Sequence, residues 1–165
     1  MLNNRNFDAS KTNWVGLWTL FSKETTRFLK VFYQTVLAPV VTNILFLTVF
    51  LIVIDREDFV IGGVSYPEFL VPGLIMMQIL QNAFMNTTST IMIAKVQGNI
   101  VDILLPPLSS FELTLAISLG GVARGMIVGL ASIITLYFFI DMNFVNFFYI
   151  IFFSLSGSLA LSLLG

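Results

Sequence analysis

The sequence predicts an all-α, polytopic membrane protein: an N-terminal amphipathic interface helix followed by four membrane-spanning helices. Three observations predict it. Of the 165 residues, 57% are apolar and 10% charged, whereas soluble domains average about 45–50% apolar and about 25% charged. With a mean hydropathy of +0.94, such a chain cannot cover its surface with polar groups in water. The charges also divide the chain into nearly uncharged runs, each about as long as the 20 residues needed to cross roughly 30 Å of hydrocarbon. Finally, Lys and Arg crowd ahead of the first run, the pattern that sets membrane orientation. There is no Cys and no His, so disulfides, thiolate metal sites and the commonest general base and metal ligand are all missing.

The N-terminal part, residues 1–30, is charged and aromatic, unlike a signal peptide, which places its apolar stretch earlier. Within it, WVGLWTLFSKETTRFLK sets Trp14, Leu17, Trp18, Phe21, Phe28 and Leu29 on one side at helical spacing, with Lys23, Arg27 and Lys30 opposite. That pattern describes a helix lying in the membrane interface, its cations toward anionic headgroups. The first span covers about 33–54. Arg5, Lys11, Lys23, Arg27 and Lys30 precede it, while the loop DREDFVIGGVSYPE holds Arg56 against Asp55, Glu57, Asp58 and Glu68. This bias predicts a cytoplasmic N-terminus and an external acidic loop. The three clustered acids of that loop could in principle hold a cation, but a solvated acidic loop is the simpler reading.

The second span, about 69–93, carries Pro72 and Gly73 near its outer end, where a kink is allowed. Gln78, Gln81, Asn82, Asn86 and Ser89 recur on one broad face. In hydrocarbon such amides need partners, so the face is expected to meet other helices, a second subunit or a wet pathway. The third span, about 113–140, holds the ridge Gly121, Gly125 and Gly129, whose spacing lets another helix approach closely. It also holds Arg124, an intramembrane charge about 18 Å along the helix from Glu112, able to snorkel to the cytoplasm or pair with an acid. The fourth span, about 144–165, follows Asp141 and runs uncharged to Leu164-Gly165, which suggests a chain truncated at its C-terminus. None of the spans contains Asp or Glu, which speaks against a proton or sodium relay inside them. No Gly-x-x-x-x-Gly-Lys-Ser/Thr loop is present for binding ATP.

The connecting loop, residues 95–112, is apolar. Gly98 suits the end of the second span. Asn99 is placed to cap a short helix over IVDILL, and Pro106-Pro107 stop it. Ser109 or Ser110 then caps the third span, with Glu112 in its first turn. The loop therefore displays a short apolar helix at the cytoplasmic face, which needs a membrane or a partner to cover it.

At this loop the sequence resembles the permease subunits of type-2 ABC exporters, which move drugs, lipids or polysaccharides out of bacterial cells. The likeness runs along essentially the whole chain: the amphipathic Trp14–Lys30 segment, FLVPGL from Phe69, KVQGNIVDILLPP from Lys95 with Glu112, and Arg124-Gly125. The resemblance implies six membrane helices per subunit, of which this chain, with its transmembrane domain at 31–165, would be the first four. It implies two permease subunits, as a homodimer, over two ATPase subunits that hold the ATP and Mg. It further implies that Gly98, Asn99, Asp102, Leu104, Pro106, Pro107 and Glu112 belong to a coupling element contacting the ATPase, with Trp14–Lys30 as the interface helix beside it. The expected setting is the bacterial inner membrane. The lipid bilayer is a partner; nucleic acid is not, and no cofactor is expected on this chain. The competing readings are an ion-driven carrier or channel, a membrane-embedded lipid enzyme with few candidate catalysts, and a non-catalytic scaffold.

Overall fold

The computed structural model describes residues 13–54, 60–61, 63–140 and 146–165. The clustered acids Asp55, Glu57 and Asp58, the cations Arg5, Lys11 and Arg56, and the turn at Asp141 lie outside the described residues. The chain is helical almost throughout. In order come α1 (Trp14–Lys30), a π-helical turn (Tyr33–Leu37) leading into α2 (Ala38–Ile54), strands β1 (Val60–Ile61) and β2 (Val64–Ser65), then α3 (Tyr66–Val96), α4 (Ile100–Leu104), α5 (Ser110–Tyr137) and α6 (Phe147–Leu164). The two strands form one antiparallel pair, Val60 opposite Ser65 and Ile61 opposite Val64. Four helices are long and apolar enough to cross a membrane: Tyr33–Ile52, Tyr66–Val96, Ser110–Tyr137 and Phe147–Leu164. The protein is thus an all-α, multi-pass membrane protein.

Local sequence accounts for the breaks. Pro39 lacks an N–H and its ring crowds the carbonyl four residues earlier, which disfavours a regular helix there. The backbone widens into the π turn immediately before it, and the Thr35 hydroxyl donates to Phe28 O, Val31 O or Phe32 O there. Pro67 sits in the first turn of α3, where no donor is lost. Pro72, by contrast, lies inside α3, which continues through it. Gly98 closes the far end of α3 with φ of +73°, a backbone state that side chains with a Cβ resist. Ser109 caps α5 through a reciprocal box: its hydroxyl accepts from the Glu112 N–H, and Glu112 Oε2 accepts from the Ser109 N–H at 2.7 Å. Asn99 occupies the cap position of α4, but its side chain makes no cap hydrogen bond; that expectation is corrected.

The helices α3 and α5 form the central antiparallel pair, with α2 and α6 packed against both and α1 against α5. Leu47, Val71, Ile75, Ile79 and Leu136 make the buried apolar cluster at one end. The glycine ridge sets the approach of the central pair. A Cβ at Gly125 would stand 2.6 Å from Ile79 O, and one at Gly129 would stand 2.5 Å from Ile79 Cγ1. Gly121 lies against Ala83 O and Ser162 of α6. On α6 the buried residues are Ser154, Ser158 and Ser162, a small polar stripe at every fourth position. Ser162 Oγ donates to Ser118 O at 2.9 Å and lies 2.7 Å from Thr87 Oγ1. The aromatic side of α6, including Phe148, Phe152 and Phe153, is exposed, as suits contact with lipid chains.

Candidate functional site: the shared end of α1, α4 and α5

The start of α1, the α4 connection and the start of α5 meet at one end of the bundle. Glu112 makes the junction. Besides its cap, Oε1 accepts from the Asn13 backbone N–H, while Asn13 Oδ1 accepts from Gly16 N–H at 3.0 Å and caps α1. One carboxylate therefore fixes the starts of two helices. Leu108 presses under Gly16, where a Cβ would come within 2.7 Å of its Cδ2. Between α1 and α4 lies a cleft of about 240 Å³, lined by Gly16, Thr19, Leu20 and Lys23 on one side and Asp102, Ile103, Pro106 and Leu108 on the other.

The α4 helix stands out from the bundle. None of its residues is buried, and Val101, Leu104 and Leu105 are exposed, Leu105 at 72%. Gly98, Asn99, Asp102, Pro106 and Pro107 are exposed with them. Of the residues assigned to this element from the sequence, only Glu112 is turned inward, its side chain used within the chain.

The sequence reading of α1 needs two corrections. Its apolar residues do not share one environment: Leu17 and Phe28 are buried against the bundle, while Trp14 and Trp18 are exposed at 72% and 66%. Nor do its cations all face outward. Arg27 turns inward, where Nη2 donates to Thr90 Oγ1 at 2.6 Å, reaches Asn86 O and Oδ1 at 3.4 Å each, and pairs with Glu24 Oε2 at 3.0 Å. Glu24 is 3% exposed, and the Thr90 hydroxyl lies 2.8 Å from its Oε2. The four spans hold no other acid at this depth, yet the bundle does contain a buried carboxylate, brought in by α1. A Gly at position 120 makes room, since a Cβ there would stand 2.9 Å from Glu24 Cβ. The i,i+3 spacing of Glu24 and Arg27 was the available signal for this cluster.

The amides of α3 divide. Gln78, Asn82 and Asn86 are buried, and Gln81 is exposed, because it falls about 60° round the helix from Gln78, away from the buried stripe. Asn82 Nδ2 donates to Gln78 O at 3.0 Å and lies 3.3 Å from Gln78 Oε1, so the Asn82 donor is used within α3. Asn86 alone of them reaches another helix. Outside this group, Asn43 of α2 donates to Ser132 Oγ of α5 at 3.1 Å. Arg124 makes neither a hydrogen bond nor an ion pair among the described residues; the pairing of Arg27 with Glu24 is the single ion pair found there.

Four spanning helices, two of them a glycine-notched central pair, with an amphipathic helix and a displayed loop helix at one end, define a multi-pass membrane protein. Residues 15–165 match the ABC-2 type transporter family, and the chain belongs to it. The chain is similar to the inner membrane transport permease YadH of Escherichia coli strain K12, 39% identical over 126 residues that make up 76% of this chain and 49% of that protein. The protein of the same name from Shigella flexneri matches to the same extent. The chain thus spans about half the length of the curated relatives it matches. No solved structure matches it.

Proposed function

We propose that this chain is the permease subunit of an ATP-driven exporter of the ABC-2 type, coupled through α4 to a separate ATPase subunit that holds ATP and Mg. The observation that carries this is the display of α4: a short helix with exposed Val101, Leu104 and Leu105, held by flanking turns and without a covering partner among the described residues. Bare apolar surface of that kind at a bundle end marks a contact. Asp102 on the same helix supplies a charge that a partner surface can read. The Lys and Arg bias of the sequence supports a cytoplasmic position for this end and the N-terminus. The name of the related permeases supports an inner-membrane location.

In this reading ATP closes two ATPase subunits, and α4 and α1 pass the movement to a dimer of permease subunits, which opens outward. The cargo is of the drug, lipid or polysaccharide type. Coupling demands that α4 contact its partner differently in the two states. The test reverses Asp102 (D102R) in the full-length protein purified with its ATPase. The variant is expected to insert and melt normally while the ATPase no longer co-purifies or its hydrolysis no longer responds to transport. Unchanged co-purification and unchanged hydrolysis would reject the coupling role and favour an ion-driven carrier, channel or scaffold.

A further inference from the structure

We infer that the cleft between α1 and α4 receives one aromatic side chain of the ATPase subunit, a Trp or Tyr whose ring face meets Lys23 and whose polar edge meets Asp102. The inference rests on the coupling reading above and adds to it the chemistry of the partner's contact.

The walls select an apolar occupant. Leu20 of α1, Ile103 of α4 and Leu108 beyond it line the cleft, and each is left half-buried. Leu17, three residues before Leu20, is by contrast buried against the bundle. The Thr19 hydroxyl already donates to Val15 O at 2.7 Å, so its proton is used within α1. Water in such a cleft meets few polar partners, and a lining of this kind favours an apolar guest. Size narrows the choice further. The cleft of about 240 Å³ exceeds the roughly 150 Å³ that holds a benzene ring and falls short of the roughly 300 Å³ at which drug-sized pockets begin. It has room for one ring system and none for a helix.

The rim makes that ring polar at its edge. Lys23 and Asp102 line the cleft from opposite walls, and both are exposed. Among the described residues they form no ion pair, Arg27 with Glu24 being the one pair found. An aliphatic guest leaves both charges unused, and a charged guest meets a like charge on one wall. A Trp or Tyr uses both: the ammonium packs against the ring face, while the N–H or O–H donates to the carboxylate.

Continuity supplies the partner. Pro106 lines the cleft and directly follows Leu105, which is exposed together with Val101 and Leu104. A subunit laid on that apolar surface therefore reaches the mouth of the cleft. One aromatic anchor in a pocket, ringed by weaker contacts, is how such surfaces hold a partner. Since the walls belong to α1 and α4, a single anchor ties both helices to the same group of the ATPase.

The test uses the full-length permease with its ATPase in nanodiscs. Thr19→Trp fills the cleft from α1 and is expected to melt with wild type while weakening ATPase association about thirtyfold, the size of a lost hot spot. Thr19→Val, which adds no bulk, is expected to associate as wild type does. Leu105→Asp, on the outward side of α4, reports the docking surface itself. Wild-type association in T19W with loss in L105D overturns the cleft and leaves the coupling reading standing. Wild-type association in L105D removes the coupling reading, and this inference with it. Disulfide trapping reads the occupant separately and serves even where T19W does not fold. This chain has no Cys, so T19C in a cysteine-free complex is paired in turn with Cys at each surface Trp and Tyr of the ATPase, and one pair is expected to cross-link. No cross-link in any of those pairs, or a cross-link instead to Cys placed in a second permease copy or in residues 1–12, overturns the aromatic anchor.

Discussion

Gly125→Ala tests the central contact of the bundle most directly, because the structure predicts its sign against an internal control. A methyl carbon at 125 would stand 2.6 Å from Ile79 O and 3.3 Å from Ala83 Cβ. Carbon approaches carbonyl oxygen across helix pairs at about 3.3 Å and above, so α3 and α5 must part by roughly 0.7 Å. The nearest atom is backbone and cannot rotate aside. Overpacking of this kind costs about 1–3 kcal/mol, while Ala returns up to about 1 kcal/mol of helix propensity over Gly. The net loss is about 1–2 kcal/mol, or roughly 2–8 °C for a chain of this size. Gly73, also within a helix, has nothing within 4 Å of its would-be Cβ, so Gly73→Ala keeps the propensity gain and is expected to melt at or above wild type. Thermal unfolding of both variants in one detergent decides the matter. If G125A melts with wild type and with G73A, close approach at the ridge does not hold α3 to α5.

Other outcomes follow from the same coordinates. Glu24→Gln leaves Arg27 without its carboxylate and is expected to cost about 2–4 kcal/mol, below a fully buried pair because Arg27 is partly exposed. Thr90→Val removes the hydroxyl that lies 2.8 Å from Glu24 Oε2 and 2.6 Å from Arg27 Nη2, and a double-mutant cycle with E24Q on unfolding would read the coupling; strict additivity would show that Thr90 does not serve the pair. Thr87→Val removes the hydroxyl 2.7 Å from Ser162 Oγ and is expected to cost about 0.6–1.7 kcal/mol in detergent unfolding. A larger loss would mean that the contact between α3 and α6 depends on more than this bond. At Gly98, where φ is +73° and no atom lies within 4 Å of a would-be Cβ, strain is purely backbone. Gly98→Asn should be tolerated and Gly98→Val should cost about 1–2 kcal/mol; equal melting of the two variants would remove the left-handed turn from the account.

Several features of this end of the molecule were legible in the sequence because they are local. Gly98, Pro106-Pro107 and the Ser109 to Glu112 spacing act on backbone groups within three or four residues, so the short helix between α3 and α5 could be read directly. The inward turn of Arg27 was not legible. A Lys/Arg stripe opposite a Trp/Phe stripe describes a helix with two environments, water and lipid, whereas α1 has three, the third being the face of α5 notched at Gly120. The serine stripe of α6 was missed for a related reason. Serines among phenylalanines in an uncharged run carry little periodic contrast, and only the neighbour they fit shows which side is inside.

Composition and charge spacing by themselves determined the all-helical class, the number of apolar runs and the small-residue ridge on the third, since each reports a solvent preference or a local steric fact. Tertiary structure alone decided which amides meet: Asn82 with Gln78 inside one helix, Asn86 with Arg27 across two, and Gln81 with neither. It also joined Glu112 to Asn13, 99 positions apart, and brought a carboxylate from outside the spans into the bundle. In a bilayer the apolar faces gain little from choosing one helix over another, because lipid is as apolar as Leu. The choice falls to close backbone approach and to polar groups that must be paired, and both depend on residues far apart in the chain.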